Sequence, residues 1–325
     1  MKLQATLFAA SVFTAIASRA EMAWPSVALS NPVLRMTAHL PGAAESFYRG
    51  SRFARCSLLD GVAAGGVPFY VRHYDGAHEP ERHDAVCGPA EEFDLNTPPP
   101  GYADSADGCF IKIGVGVLRR PADETEYAFH KNYEVLDPGF WTHEAHGERE
   151  VVFHHRAALP DGSHGVEYTH RVSLDEAEAT FQITRTLKNT GRKKFTTRHY
   201  NHQFIRVNDT DIGPGYSLEL PFAPRFVEAQ AEPRAVETRG KGIALAAPLA
   251  GTFWSPVAGF GKETENVFTL RNGGSALRCA TDLPIADFVV YATPRVICPE
   301  VFVELTLAPG EEKTWTTTFA FETPQ

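Results

Sequence analysis

The stretch Arg198-His199-Tyr200-Asn201-His202-Gln203-Phe204-Ile205 gathers two histidines, a tyrosine, an asparagine and an arginine directly after a strand-like run. An imidazole titrating near neutral pH can give or take a proton, and a carboxylate is its natural complement. Two carboxylates stand in a suitable context near the C-terminus. Glu300 follows Ile297-Cys298-Pro299 and precedes a strand that runs into a Leu307-Ala308-Pro309-Gly310-Glu311 turn, and Glu304 lies further along the same strand as its rival. His199 and His202 on one side and Glu300 and Glu304 on the other are the groups able to exchange protons. Each also has a plainer reading: a histidine ending a strand is often a hydrogen-bonded structural group, and Glu300 suits a solvated strand start.

Further polar candidates lie in the first third and near Glu300. The segment "ERHDAVCGPAEEF" holds Arg82, His83, Asp84, Glu91 and Glu92 close to aromatic residues, a binding constellation or a charged surface loop. Lys112, between Ile111 and Ile113, faces opposite to them and so either lines a cavity or reaches solvent. Arg295 is placed to bind a phosphate, to orient Glu300 or to cap a strand end. Trp141 and Trp254 suit the core as well as a stacking platform. The stretch from Tyr127 to Arg156 concentrates five of the thirteen histidines, but it contains no HxH or HExxH pair, and His154 and His155, being adjacent, point to opposite faces of a strand. No metal is expected there.

These residues must be positioned by strands. From about Pro25 onward short alternating runs are broken by Gly, Pro, Asn and Asp, with scarcely a segment keeping a helical period for three turns. Phe181, Ile183 and Leu187 share a face, interrupted by Arg185, ahead of an Asn189-Thr190-Gly191 turn and a second run from Phe195. The pattern predicts a hairpin. Val301, Val303, Leu305 and Leu307, the Pro309-Gly310 turn, then Trp315, Thr317 and Phe319 repeat the logic, so the last two strands are expected to pair with each other. Segments 94–108 and 221–242 read as long loops rather than domain boundaries. With 22 Phe, 10 Tyr and 4 Trp to fill one interior, the expectation is a single all-β domain over residues 21–325, a large antiparallel β-sandwich.

A net charge of -9, from 31 basic and 40 acidic residues, is wrong for a protein that gains affinity by neutralising phosphate backbones, so nucleic acid is not an expected partner. Residues 1–20 carry a Lys near the start, an apolar run from Ala5 to Ala17 and small residues at Ser18 and Ala20, the marks of a signal peptide and hence of a secreted or periplasmic protein. That run is far shorter than the roughly 20 residues that span a bilayer, so no stable membrane insertion is expected. Five cysteines allow at most two disulfides in such a compartment, and none sits in a CxxC or Cys/His metal pattern. Asn208-Asp209-Thr210 is a glycosylation sequon.

The segments "HYNHQF" and "VICPEVFVELTLAPGEEKTW" together resemble the galactose mutarotase-like superfamily, in particular the aldose 1-epimerases and hexose-6-phosphate mutarotases. The resemblance implies a supersandwich fold and interconversion of sugar anomers, with His202 as general acid and Glu300 as general base. It implies no cofactor and no metal. The substrate would be a monosaccharide or the end of a sugar chain, contacted by Tyr200, Asn201, Arg82, His83, Glu92, Lys112 and Arg295. "GSRF" (Gly50 to Phe53) and "GGVPF" (Gly65 to Phe69) are looser echoes of the family's early strands. The family's glycine-rich stretch with its histidine is not evident, and "RHYDGAHEPERHDAVCGPAEEF" and "FIKIGVGVL" stand in its place. Two other readings share the architecture: a carbohydrate-binding protein without turnover, and a polysaccharide lyase using Tyr200 or His199 as base. A mutarotase is expected to have a closed cleft with His202 and Glu300 facing each other across one pyranose; a lyase, an open groove with positive lining.

Overall fold

The computed structural model describes residues 24–227 and 235–324, apart from positions 43, 75, 96 and 106. The expected signal peptide lies outside the described residues. Among them, helical structure amounts to a three-residue 3-10 turn, Val207–Asp209, and no helix is long and apolar enough to cross a membrane. The remaining regular structure is antiparallel strand, joined by turns and irregular loops: a ten-stranded sheet, a six-stranded sheet, and smaller sheets of four and three strands.

Alternation builds the sandwich. In the strand Thr180–Asn189, Phe181, Ile183, Arg185 and Leu187 are buried while the residues between them are more exposed. Glu312–Glu322, its partner in the ten-stranded sheet, buries Trp315, Thr317, Phe319 and Phe321 in the same way. Facing them, the six-stranded sheet contributes Phe93 and His199, whose rings lie 6.4 and 5.2 Å from that of Trp315. Two inner faces thus interdigitate, as aligned sheets do.

Both expected hairpins prove to be something else. Thr180–Asn189 lies in the ten-stranded sheet and Phe195–His202 in the six-stranded one; likewise Ile297–Leu307 belongs to the six-stranded sheet and Glu312–Glu322 to the ten-stranded one. Each turn therefore crosses between layers. The two crossings stack, so Thr180–Asn189 pairs with Glu312–Glu322 above and Phe195–His202 with Ile297–Leu307 below. The turns are tied to each other, Asn189 donating its side-chain amide to the Leu307 carbonyl and Gly310 its N–H to the Asn189 carbonyl, at 3.0 and 2.8 Å. An alternating strand can bury its apolar side either beside its neighbour or against it, and periodicity alone does not distinguish the two.

All five cysteines are free and buried. Cys56, Cys109 and Cys279 sit in the main apolar core, and Cys87 and Cys298 in a smaller cluster with Phe47, Phe53 and Phe204. The disulfides that the cysteine count allowed are absent. Segment 94–108 is irregular, as expected, whereas 221–242 contains short strands at Arg225–Phe226 and Val236–Arg239.

Candidate active site

The central strand Phe195–His202 pairs with Ile297–Leu307 on one side and with Ala90–Phe93 on the other. Its parity sorts the side chains. Odd positions His199 and Asn201 point into the space between the sheets; even positions Arg198, Tyr200 and His202 point to the outer face. The same rule separates the neighbours Glu91 and Glu92: Glu91 takes hydrogen bonds from Tyr168 and the buried Arg185 between the sheets, and Glu92 accepts one from Tyr200 at 2.6 Å on the outer side.

Register does the rest. Phe195 pairs with Leu307 and His199 with Val303; extending that ladder sets Tyr200 beside Phe302 and His202 beside Glu300. The ladder hydrogen bonds are interrupted beyond His199 and resume in the same register at Ile205, which exchanges backbone hydrogen bonds with Ile297 at 3.2 and 3.0 Å; between them the side chains keep the register. The rings of Tyr200 and Phe302 stack at 4.4 Å, and His202 Nε2 lies 3.2 Å from Glu300 Oε1. Both reacting candidates are nearly enclosed, at 7% and 4% exposure. The His202 ring is clamped by Phe204, stacked at 4.0 Å and 7°.

Around the pair is a cleft of about 210 Å³ lined by Arg52, His73, Asp84, Phe129, Tyr200 and Trp254, with Leu95 and Tyr291 beside them. That is below the roughly 300–1,000 Å³ of pockets for drug-sized ligands, a size suited to one small ring. Arg52 organises the wall. Its guanidinium donates to Glu92 Oε2 at 2.8 Å and to Asp84 Oδ1 at 2.7 Å, and reaches Tyr200 Oη at 3.4 Å. Asp84 also accepts from Tyr74 at 2.8 Å.

Burial dominates the electrostatics. It pushes the Glu300 carboxyl well above the usual carboxylate range, with Arg52 opposing and Glu92 adding to the effect. It holds the His202 imidazole well below its ordinary value, reinforced by Arg52 and His73. His73 is pushed down to about 4, again by burial. Asp84 is the exception: burial raises it, but the His83 hydrogen bond and the Arg52 charge prevail and keep it ionised. Two groups in contact share protons as a unit. Burial acts on both in the same sense, disfavouring the charged form of each.

The sequence-predicted residues divide accordingly. His202, Glu300 and Tyr200 line the cleft, and Glu92 supports its wall through Arg52 and Tyr200. His83 stands behind the wall, 2.8 Å from Asp84. Asn201 does not reach the cleft: on the opposite parity, it accepts from Arg185 and donates to the Pro89 carbonyl. Lys112 neither lines the cleft nor reaches solvent; it is buried beneath Glu92, donating to Tyr127 Oη at 2.7 Å and to the Phe93 carbonyl, because the strand Cys109–Lys112 is covered on both faces. Arg82 is exposed and stacks on Tyr74, its guanidinium 3.8 Å from the ring centre. Arg295 bonds the Arg72 carbonyl at 3.3 Å and does not line the cleft. Glu304, the rival base, is paired with Arg198 at 3.0 Å on the exposed part of the outer face. The pair does not face across a ring-sized gap, as expected of a mutarotase, but touches.

Sequence reasoning missed Arg52, His73, Phe129 and Tyr291, and Arg52 was within reach as the arginine of "GSRF". Trp254, a platform candidate, does line the cleft.

No family model matches the chain, and no curated protein is significantly similar to it in sequence. In structure it is similar to a GalM/aldose epimerase homologue from C. elegans, at 12% identity and TM-score 0.54 over 93% of this chain and 100% of that one. It is similar to a galactose mutarotase-like protein from Lactobacillus casei, at 11% identity and TM-score 0.52 over 91% and 100%. A Synechocystis protein matches at 10% identity and TM-score 0.58 over 93% and 97%. At such identities the likeness is one of fold: the chain has the galactose mutarotase-like β-sandwich.

Proposed function

We propose that the protein is an aldose 1-epimerase-like mutarotase that opens and recloses the ring of a neutral, unphosphorylated aldose. The observation that carries this reading is the 3.2 Å contact between His202 and Glu300 in a small, aromatic-lined cleft. Ring opening needs a proton delivered to the ring oxygen while another leaves the anomeric hydroxyl. With its proton on Glu300, the pair does both: Glu300 protonates the ring oxygen as the bond from C1 breaks, and the His202 imidazole takes the hydroxyl proton as the aldehyde forms. Rotation about C1–C2 and reversal of both transfers close the other anomer. The resting roles are thus the reverse of the sequence-based assignment, and each group serves as acid in one direction and base in the other. Each such group contributes about 10²–10⁴-fold.

The charge of the cleft supports a neutral substrate. Its one lining guanidinium, Arg52, is already held by Glu92 and Asp84, so a phosphate or uronate carboxylate would be desolvated there without a counter-charge. The same point weighs against a polysaccharide lyase. Trp254, Tyr291 and Phe129 offer ring faces of the kind sugars stack on. Export through the N-terminal segment belongs to the same proposal, and N-terminal sequencing of the secreted chain tests it.

Polarimetry of α-glucose and α-galactose, with the purified protein beside His202→Ala and Glu300→Gln, tests the activity. The expected result is acceleration over buffer, reduced at least about 10²-fold in each variant. Sugar binding by calorimetry without acceleration would establish the binding-protein reading instead, and acceleration undiminished in Glu300→Gln would remove the pair from the mechanism.

A further inference from the structure

The Glu300 strand carries a second heteroatom side chain on the same side. Cys298, two positions earlier, shares the parity of Glu300, and His202 meets both from across the register. His202, Cys298 and Glu300 each offer one donor atom, all within 4.8 Å of one another, and all three residues are buried. The sequence gives no hint of this set, since its members come from two strands and form none of the familiar spacings.

We propose that these three side chains form a binding site for a borderline-soft divalent cation of the Zn²⁺ class, seated below the cleft floor with its remaining coordination position open to the cleft. Zinc bonds of about 2.3 Å to sulfur and about 2.0–2.2 Å to nitrogen and oxygen set tetrahedral donors between about 3 and 4 Å apart, so the present arrangement needs only small rotamer adjustments. One nitrogen, one sulfur and one oxygen ligand with a fourth position free is the donor count of catalytic rather than structural zinc. A hard ion such as Mg²⁺ or Ca²⁺ would not choose this set.

A second observation points to the sulfur. The chain leaves the His202 strand through Phe204, whose φ of 42° is left-handed and strained for a non-glycine residue. That turn aims the Phe204 N–H at Cys298 Sγ, 3.3 Å away. Burial and the nearby Glu300 charge push the Cys298 thiol well above its ordinary range, and the Phe204 amide works against them, so the thiolate that binds metal forms with the cation rather than ahead of it. Charge balance is also favourable. A dication with a thiolate, a carboxylate and a neutral imidazole is neutral as a unit, which a buried site tolerates; binding expels the thiol proton and the proton of the His202–Glu300 pair to solvent. The second such group among the described residues, His39, Asp60 and Cys87, lacks these advantages: Asp60 Oδ2 already accepts two bonds from Arg72, at 3.0 and 2.7 Å, and a cation would have to displace the guanidinium.

The ion would occupy the atoms that proton transfer uses, so it would inhibit mutarotation; that consequence alone rests on the proposed function. The test is therefore binding, read without any sugar. Co²⁺ is titrated into the full-length protein and followed by absorption. The expected result is one equivalent with visible d–d bands of tetrahedral intensity and a near-ultraviolet thiolate-to-cobalt band. Cys298→Ser should lose the thiolate band, Glu300→Gln and His202→Gln should each weaken binding at least tenfold, and Cys87→Ser should change neither, with circular dichroism checking each fold. Absence of a thiolate band in the unmodified protein, its survival in Cys298→Ser, or its loss in Cys87→Ser would each overturn the proposal. Should Cys298→Ser not fold, unchanged affinity in Glu300→Gln and His202→Gln overturns it equally. Cobalt bound by surface histidines gives no thiolate band and counts against the site.

Discussion

Arg52 holds the cleft together more than either reacting group does. Its guanidinium joins Glu92, fully buried, to Asp84 and Tyr200, and lies 4.5 and 4.7 Å from the ring centres of Phe53 and Phe129. Removing one partner of a buried pair leaves the other uncompensated, so Arg52→Met is expected to cost about 3–5 kcal/mol in urea denaturation. Arg198→Met, which breaks the exposed pair with Glu304, is expected to cost no more than about 1 kcal/mol. Equal losses in the two variants would mean that Arg52 is not the strut described here. Type and context made His202 and Glu300 legible, because an imidazole and a carboxylate beside apolar strand residues stand out. Arg52 was not legible, since its value depends on Glu92 and Asp84 arriving from elsewhere in the chain.

Strands decide which of two adjacent residues reaches the cleft. Glu91 and Glu92, His199 and Tyr200, Asn201 and His202 are neighbours with opposite destinations, and a shift of one position would send His202 and Glu300 into the core. The strand bearing Glu92 is held in place by Gly88, which has φ +64°, and a Cβ there would stand 2.0 Å from the Leu59 carbonyl oxygen. Gly88→Ala should therefore displace the start of Ala90–Phe93, costing more than the about 1–2 kcal/mol of left-handed strain alone and lowering activity with it. Gly273 is the control: its φ is +58° with nothing within 4 Å of a Cβ, so Gly273→Ala should show the strain alone. Matching losses in urea melts would show that the Leu59 contact does not matter. The alternation of these strands was readable from sequence. Their sheet membership was not, because turns that look like hairpin turns carry the chain across the sandwich.

For the molecule as a whole, buried imidazoles set the response to acid. Burial holds His73, His155 and His199 each at about 4, whereas an unfolded histidine titrates near about 6.5. Below pH of about 6.5 the unfolded chain takes up protons that the folded chain refuses, so this stability is fully present above that pH and lost as pH falls toward about 4. Asp94 has the opposite sign: burial raises it to about 7, so its contribution is present at low pH and lost as pH rises through that value. His202 and His78 are lowered like these three, and Glu300 is raised like Asp94, so the lowered histidines outnumber the raised carboxyls and predict a net loss of stability on acidification between pH of about 6.5 and 4.5, steeper in Asp94→Asn, measured as unfolding free energy in urea across pH. Stability that is flat or rises toward acid would contradict the burial of these histidines.

Sequence by itself determined the strand texture, because a period of two with turn residues at intervals admits little else, and it named a histidine and a glutamate that the fold brings into contact. It also bounded partners through net charge. Tertiary structure alone decided which layer each strand joins, that His202 and Glu300 touch rather than face across a ring, that Cys298 stands beside them, and that Asn201 and Lys112 serve the interior. The physical reason is range: alternation and turn chemistry are local, whereas register, sheet crossing and the meeting of charges depend on residues far apart in the chain.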